Sequence, residues 1–246
     1  MNGRRGDYGL DEPRWLVLLT AMAGAWGALA VIAFGLMGAP ALGWAAGILS
    51  LAFLLSAGSY LYTTRWGKFA VWRQIFTELA LRRTDRLLDM GCGRGAVLLL
   101  AARLLPEGSV TGVDVWNTTE QSGNRLTVTE RNAQREGVAS RVALCTADIR
   151  SMPFPGDSFD LVVSSMVIHN IRDPRERLRA IDEAVRVLRP GGRLVVVDLG
   201  HVCGAYTKRL QELGMTGVAR RRLGWRFWYG GPWAAAEQVM GQKPSV

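Results

Sequence analysis

The sequence predicts an α/β domain, with a parallel sheet covered by helices on both faces, preceded by an apolar helical hairpin. From about Arg82 onward, short apolar runs alternate with helical patterns, which is typical of parallel strands joined by crossover helices. Within that region, residues 87–97 read LLDMGCGRGAV, a strand-like run followed by a glycine loop and the start of a helix. Before it, residues 16–64 contain no Lys, Arg, Asp or Glu.

The uncharged stretch predicts a transmembrane hairpin. Pro40 divides it into residues 15–37 and 41–62, and each segment exceeds the roughly 20 residues that cross a hydrocarbon core. A secretory signal peptide fits poorly because a second apolar span follows at once. A hairpin buried in a soluble core is the other alternative. We therefore predict a tail and hairpin over 1–64, an amphipathic linker helix over 65–82 near the membrane, and the α/β domain over 83–246.

Charge predicts the orientation of the hairpin. The first 14 residues balance three arginines against three acids, whereas a run of basic residues follows the second span: Arg65, Lys68, Arg73, Arg82, Arg83 and Arg86. By the positive-inside rule, both termini and the α/β domain are cytoplasmic and the chain crosses the membrane twice. The net charge of +9 then faces anionic headgroups. No zinc-ligand spacing or dense basic tract indicates nucleic-acid binding, so we expect none.

Two further features bear on partners. Small residues at Ala23, Gly27, Gly43 and Gly47 favour close helix packing, either within the hairpin or in a homodimer. The three cysteines (Cys92, Cys145 and Cys203) lack paired spacing, which indicates a reducing compartment and excludes a thiolate metal site. We expect no metal.

The α/β domain divides into strands and helices in order. We predict strands over 86–89, 109–114, 142–146, 159–164 and 193–198, with helices near 96–105, 121–136 and 174–189. Near-continuous Val and Leu runs in the last two strands suit a sheet that is covered on both faces. Arg189-Pro190-Gly191-Gly192 would end the third of these helices. Weak extended patterns over 218–225 and 237–243 predict an antiparallel edge.

The glycine loop, Gly91-x-Gly93-x-Gly95, predicts a ligand cradle. Glycine lets the backbone approach a ligand closely, and the N–H groups of the following helix point into a cleft. The loop also satisfies a relaxed dinucleotide fingerprint, so a nicotinamide-dependent oxidoreductase is one alternative. Acidic residues occur at four strand ends, where such sheets bind ligands: Asp89, Asp114, Asp148 and Asp198. In this order Asp114 can accept from ribose hydroxyls and Asp148 from an adenine amino group.

Over about residues 85–200 these motifs resemble those of class I S-adenosylmethionine-dependent methyltransferases. They are LDMGCGRG at 88–95, GVD at 112–114, TADI at 146–149, MPFP at 152–155, FDLVVSS at 159–165 and VLRPGGRL at 187–194. The set is most similar to the branch of ubiquinone and menaquinone C-methyltransferases and small-molecule methyltransferases. It implies a Rossmann-like fold with S-adenosyl-L-methionine as cofactor. By position, the resemblance assigns the amino-acid part to Asp89, Gly91, Cys92 and Gly93, the ribose to Asp114 and Val115, the adenine to Asp148 and Ile149, and the methionine chain to Ser165.

Catalysis would need a proton acceptor if the acceptor molecule carries a hydroxyl. His169, just after the fourth strand, is our first candidate, and His201, just after the fifth, is the second. The quinone enzymes are expected to carry Arg-Asn where this chain has His169-Asn170. Trp116, Asn117 and Tyr206 are further candidates for the pocket wall.

The sequence thus predicts a membrane-anchored methyltransferase with a small, lipophilic or membrane-associated acceptor. The acceptor atom stays open among O, N, S and C. A catalytically silent methyltransferase-like membrane scaffold is the alternative of a different class.

Overall fold

The computed structural model describes residues 4–118 and 121–245. Over these residues the chain forms an N-terminal helical hairpin and a seven-stranded mixed sheet. The helices are α1 (Pro13–Gly35), α2 (Pro40–Tyr62), α3 (Lys68–Glu78), α4 (Ala96–Leu104), α5 (Leu126–Arg135), α6 (Pro174–Val187) and α7 (Gly200–Glu212). The strands are β1 (Arg86–Met90), β2 (Ser109–Asp114), β3 (Val142–Thr146), β4 (Phe159–Ser165), β5 (Leu188–Leu199), β6 (Thr216–Arg222) and β7 (Ala236–Gln242).

The strand order confirms the predicted α/β class. It is β3-β2-β1-β4-β5-β7-β6, with β1 to β5 parallel and β7 antiparallel to both of its neighbours. The antiparallel edge comes from the C-terminal residues, as predicted. Asp89 on β1 lies between Gly112 on β2 and Val163 on β4, at the point where the strand order reverses. A crevice for ligands opens there, beyond the carboxyl ends of the strands.

Helices cover both faces of the sheet. The helices α3 and α4 pack on one face and α6 and α7 on the other, each over its own cluster of buried Val, Leu and Ile side chains. The linker helix was predicted to lie near the membrane, whereas the structure packs it against the sheet. Because Trp72, Ile75 and Phe76 of α3 are fully buried against the sheet, this helix belongs to the core of the α/β domain. A short π-helical segment, Thr63–Gly67, joins it directly to α2.

The hairpin packs through small side chains. A Cβ on Gly43 would lie 2.7 Å from the Phe34 ring, and the Ser50 hydroxyl donates to the Ala23 carbonyl at 2.8 Å. The small faces at Ala23 and Gly43 are therefore used within the hairpin, and a homodimer stays a prediction. Both helices are long and apolar enough to cross a membrane, and only 17% and 22% of their apolar windows are buried. This exposure argues against a hairpin enclosed in a soluble core.

Two predicted boundaries were wrong. Helix α6 ends at Val187 and β5 begins at once, because Gly191 and Gly192 exchange backbone hydrogen bonds with Lys243 and so continue the sheet. The helix predicted over 121–136 begins only at Leu126.

Candidate active site

The glycine loop between β1 and α4 is held by backbone hydrogen bonds to β2. The N–H groups of Gly91 and Cys92 both donate to the Val113 carbonyl, at 2.7 and 3.1 Å. Gly91 has φ +73°, and a Cβ there would lie 2.3 Å from the Val167 side chain. Any other residue would carry both backbone strain and a clash. Glycine at 91 is therefore required by the backbone conformation and by the packing of Val167, and Gly91, Cys92 and Gly93 still line a cavity.

Asp114 at the end of β2 organises this loop. Its carboxylate accepts from the Gly93 N–H at 2.8 Å, from the Trp116 N–H at 2.6 Å and from the Asn124 amide at 3.2 Å. A carboxylate has about four lone-pair sites, so about one remains. Accepting both hydroxyls of a ribose would require one present donor to move, and the Asn124 amide is the most distant.

Asp89 at the end of β1 is a buried acid without a strong partner. Within the described part of the chain, neither carboxylate oxygen makes a hydrogen bond of good geometry, and the residue is 1% exposed. Burial raises the pKa of Asp89 to about 8, and the neighbouring Asp114 adds to the rise against a backbone contact from Leu98. An unpaired buried carboxyl at a bare glycine loop suits the ammonium group of an amino-acid ligand, as S-adenosylmethionine carries.

Asp148, which the sequence predicts to contact adenine, already has a partner in the structure. The Asp148 carboxylate is bound by the Arg150 guanidinium at 2.5 Å, and Arg150 also contacts Glu176 at 3.1 Å. The hydrogen bonds from Arg150 hold the pKa of Asp148 below its ordinary value. Asp148 thus stays charged, but Arg150 already donates to both of its oxygens, so accepting from an adenine amino group would require Arg150 to shift. The buried Ile149 beside it offers an apolar surface.

His169 forms a dyad with Asp198. The Asp198 carboxylate is fully buried at the end of β5, and it lies 2.5 Å from Nδ1 of His169. It also accepts from the His169 backbone N–H at 3.0 Å and from the Tyr206 hydroxyl at 3.2 Å. Since a carboxylate only accepts, Nδ1 carries the hydrogen and Nε2 is the basic nitrogen. Sequence analysis placed Asp198 at a strand end but missed it as the partner of His169.

One cavity of about 720 Å³ brings the predicted residues together. Its wall holds all ten of them: Asp89, Gly91, Cys92, Gly93, Asp114, Val115, Asp148, Ile149, Ser165 and His169. Their individual roles stay predictions. Of the other candidates, His201 is exposed on α7 and Tyr206 is buried beneath Asp198, and neither lines the cavity. Trp116 also lies outside its wall and bonds to Thr146 instead.

The cavity has a second wall that sequence analysis did not foresee. It comes from the start of α1, the end of α2, the start of α3 and a C-terminal segment, through Asp11, Glu12, Trp15, Leu19, Tyr60, Lys68, Tyr229, Gly230, Trp233 and Ala234. In its centre Lys68, 6% exposed in its side chain, pairs with Asp11 at 2.9 Å. Asp11 also accepts from Gln121 at 3.0 Å and from the Tyr229 hydroxyl at 3.1 Å. No short-range motif marks this wall.

The sheet order, the glycine loop and the strand-end acids are those expected of a class I S-adenosylmethionine-dependent methyltransferase domain. Residues 88–196 match the family model described as "Methyltransferase domain". The match supports S-adenosylmethionine, and not a nicotinamide, as the cofactor of this domain.

Curated relatives match the same region. A ubiquinone/menaquinone biosynthesis C-methyltransferase of Azotobacter vinelandii is 32% identical over 151 residues, which are 57% of this chain and 56% of the relative. A 27-O-demethylrifamycin SV methyltransferase of Amycolatopsis mediterranei is 35% identical over 148 residues, 57% of this chain and 50% of the relative. The chain thus spans about half the length of these relatives.

Solved structures share the fold. The 4+2 cyclase SpnF has a TM-score of 0.60 at 21% identity, covering 72% of this chain and 82% of its own. A geranyl diphosphate C-methyltransferase of Streptomyces coelicolor has a TM-score of 0.57 at 14% identity, covering 71% and 78%. Because one of these neighbours is named a cyclase, the fold alone does not establish methyl transfer.

Proposed function

We propose that this protein transfers a methyl group from S-adenosylmethionine to a hydroxyl-bearing, lipophilic acceptor at the cytoplasmic face of a membrane. The observation that carries the proposal is the common cavity. It contains the glycine loop with the unpaired Asp89 at one side and the basic nitrogen of the His169–Asp198 dyad at another. A cofactor cradle and a positioned base in one cavity are the two parts that methylation of a hydroxyl needs.

The residues divide the work. When bound, S-adenosylmethionine supplies a methyl group on a sulfonium, whose leaving group is a neutral thioether. Asp89 and Asp114 would hold the amino-acid and ribose parts, and the glycine loop would admit them. Nε2 of His169 would take the proton of the acceptor hydroxyl while the oxygen forms its bond to the methyl carbon. Asp198 would keep the imidazole oriented and stabilise it once it is charged.

The membrane part of the proposal is supported by the hairpin. Its apolar side chains face outward, including Val31 at 72%, Trp44 at 69% and Leu55 at 66% exposure. Single exposed apolar residues are ordinary, but two whole helices of them need an apolar environment. With the basic residues following α2, the positive-inside rule places the domain and both termini on the cytoplasmic side. The cavity then lies beside the lipid, which favours a lipophilic acceptor.

The test measures binding and transfer separately. The full chain in lipid vesicles is expected to bind radiolabelled S-adenosylmethionine and to move the label into a lipid extract. Asp114→Ala should abolish binding, whereas Asp182→Ala, on α6 and outside the cavity wall, should not. His169→Gln should keep binding and lose transfer, with His201→Gln as the matched control. Cofactor binding without transfer by the unaltered protein would instead favour the silent scaffold, and absence of binding would overturn both.

A further inference from the structure

The cavity continues from the base toward the hairpin. Trp15 and Leu19 of α1 belong to the same wall as His169, and so do Gly230 and Trp233 of the C-terminal segment. We call the four residues Trp15, Leu19, Gly230 and Trp233 the lateral mouth. The side chains of these four residues carry no charge. Asp11, Glu12 and Lys68 line the same wall, and Asp11 and Lys68 pair with each other at 2.9 Å. The lateral mouth therefore gives this wall an apolar part beside a neutralised ion pair.

The C-terminal side of the lateral mouth is fastened to the hairpin. The Trp228 carbonyl accepts from the hydroxyls of Ser59 at 3.1 Å and Thr63 at 2.8 Å. The Tyr229 ring meets Tyr60 edge-on, with ring centres 5.6 Å apart. These contacts tie residues 228–229 to the cytoplasmic end of α2.

The lateral mouth lies within the depth of the apolar helices. A Cβ on Gly230 would be 3.6 Å from Leu19 and 3.8 Å from the Ser56 carbonyl. Leu19 comes six residues after the first residue of α1, which is about 9 Å along the helix axis. Trp15 and Trp233 are 54% and 75% exposed there. Exposed tryptophans at this depth are typical of the boundary between headgroups and hydrocarbon.

We propose that the lateral mouth is an entrance from the lipid phase, and that the acceptor is a single-chain amphiphile. Its hydroxyl-bearing head passes the mouth and reaches His169, while its hydrocarbon tail stays against α1 among the lipids. The proposal rests on the proposed function for the reaction at the head. It adds the tail as a recognised part of the acceptor, and it assigns the hairpin a role in substrate selection as well as in location.

The experiment compares two probes with the same phenol head, one with a butyl and one with a hexadecyl chain. The full chain is reconstituted in phosphatidylcholine–phosphatidylglycerol vesicles, and methylation of each probe is measured. Leu19→Trp narrows the lateral mouth, and we expect it to lower the ratio of the hexadecyl rate to the butyl rate by about tenfold or more. This is on the order of the discrimination that an apolar pocket shows for one methylene group. Leu18→Trp adds the same bulk to the same helix at a position that is 48% exposed and outside the cavity wall, and should leave the ratio unchanged.

A binding readout separates this proposal from the proposed function. A hexadecyl phenol with a photoreactive diazirine beside the head is irradiated with the full chain, and labelled peptides are mapped. Labelling within 15–19 and 229–234 that Leu19→Trp suppresses and Leu18→Trp does not would support the entrance, even if neither probe is methylated. Methylation of both probes with a ratio insensitive to Leu19→Trp would overturn the entrance and leave the methyltransferase standing. Labelling confined to other surfaces would also overturn it.

Discussion

Replacing Asp198 by Asn tests the dyad most directly. The change keeps the size of the side chain and removes its charge. One oxygen of Asp198 contacts Nδ1 of His169 and the Leu199 N–H, and the other accepts from the His169 N–H and the Tyr206 hydroxyl. In either orientation, the new amide NH₂ must face at least one backbone N–H. Since the site is fully buried, we expect one unsatisfied donor and a loss of about 1–3 kcal/mol of unfolding free energy.

The catalytic effect follows from the same geometry. Without the negative charge, the imidazolium that forms on proton transfer loses its stabilising partner, and an amide NH₂ that faces Nδ1 favours the tautomer whose hydrogen is on Nε2. A positioned base contributes a factor of about 10²–10⁴ to the rate. The transfer rate should fall by about that factor, which corresponds to a rise of about 3–5 kcal/mol in the activation free energy. Cofactor affinity should be unchanged, because Asp198 lies outside the cofactor loop.

The assay is initial-rate transfer of radiolabelled methyl into lipid extract at saturating cofactor, beside equilibrium binding of the cofactor. Tyr206→Phe is the matched control. It removes a single 3.2 Å contact to the same carboxylate, so the rate should stay within a few-fold of the unaltered protein. An Asp198→Asn protein that is folded, binds cofactor and transfers methyl at a near-normal rate would refute the proposed base.

Three further predictions concern the cofactor loop and the second wall. Because the pKa of Asp89 is raised to about 8, the free protein holds a proton on Asp89 below that pH, and the ammonium group of the cofactor favours the ionised carboxylate. Cofactor binding at about pH 5–7 should therefore release nearly one proton, which calorimetry in buffers of different ionisation enthalpy measures. Gly91→Ala should cost about 1–3 kcal/mol of backbone strain plus its clash with Val167, measured by denaturant unfolding. Lys68→Met leaves Asp11 without its cation and should cost about 3–5 kcal/mol.

Each of the three has its own check. The Asp89 shift also requires that the free protein lose stability as pH rises from about 4 to about 8, because the folded state keeps a proton that the unfolded chain has released. Asp89→Asn should remove both effects, and their persistence would assign them elsewhere. Gly214→Ala has the same φ of +73° with no atom within 4 Å, so equal losses at the two glycines would rule out the clash. Lys208→Met, 80% exposed in its side chain, should be nearly neutral.

The α/β domain was predictable because buried parallel strands have a recognisable local sequence pattern. Uninterrupted Val and Leu runs marked β4 and β5, and parallel topology then carries residues at strand ends to one edge of the sheet. The ten predicted site residues reach one cavity for that reason. The pairing of His169 with Asp198 depends on β4 lying next to β5. The adjacency of β4 and β5 could have suggested that His169 and Asp198 lie near each other. It could not have shown that their side chains are in contact.

The second wall was not predictable because its contacts cross most of the chain. Asp11 binds Lys68, Gln121 and Tyr229, which lie 57, 110 and 218 residues further along the chain. Contacts over such separations leave no periodicity to detect. A contact of the same kind explains why the helix predicted from 121 starts late, since Ser122 bonds to Leu10 instead of continuing a helix.

These contacts bear on how the hairpin and the cofactor loop affect one another. Asp11 lies two residues before the start of α1 and binds both Lys68 and Gln121. Gln121 in turn accepts from the Arg94 N–H inside the glycine loop. A shift of the hairpin therefore moves Asp11, and with it the side chain that lies on the cofactor loop. Coupling between two sites is reciprocal. We therefore expect an amphiphile bound at the lateral mouth to change cofactor affinity, and the cofactor to change amphiphile affinity by the same factor, which paired binding titrations would measure.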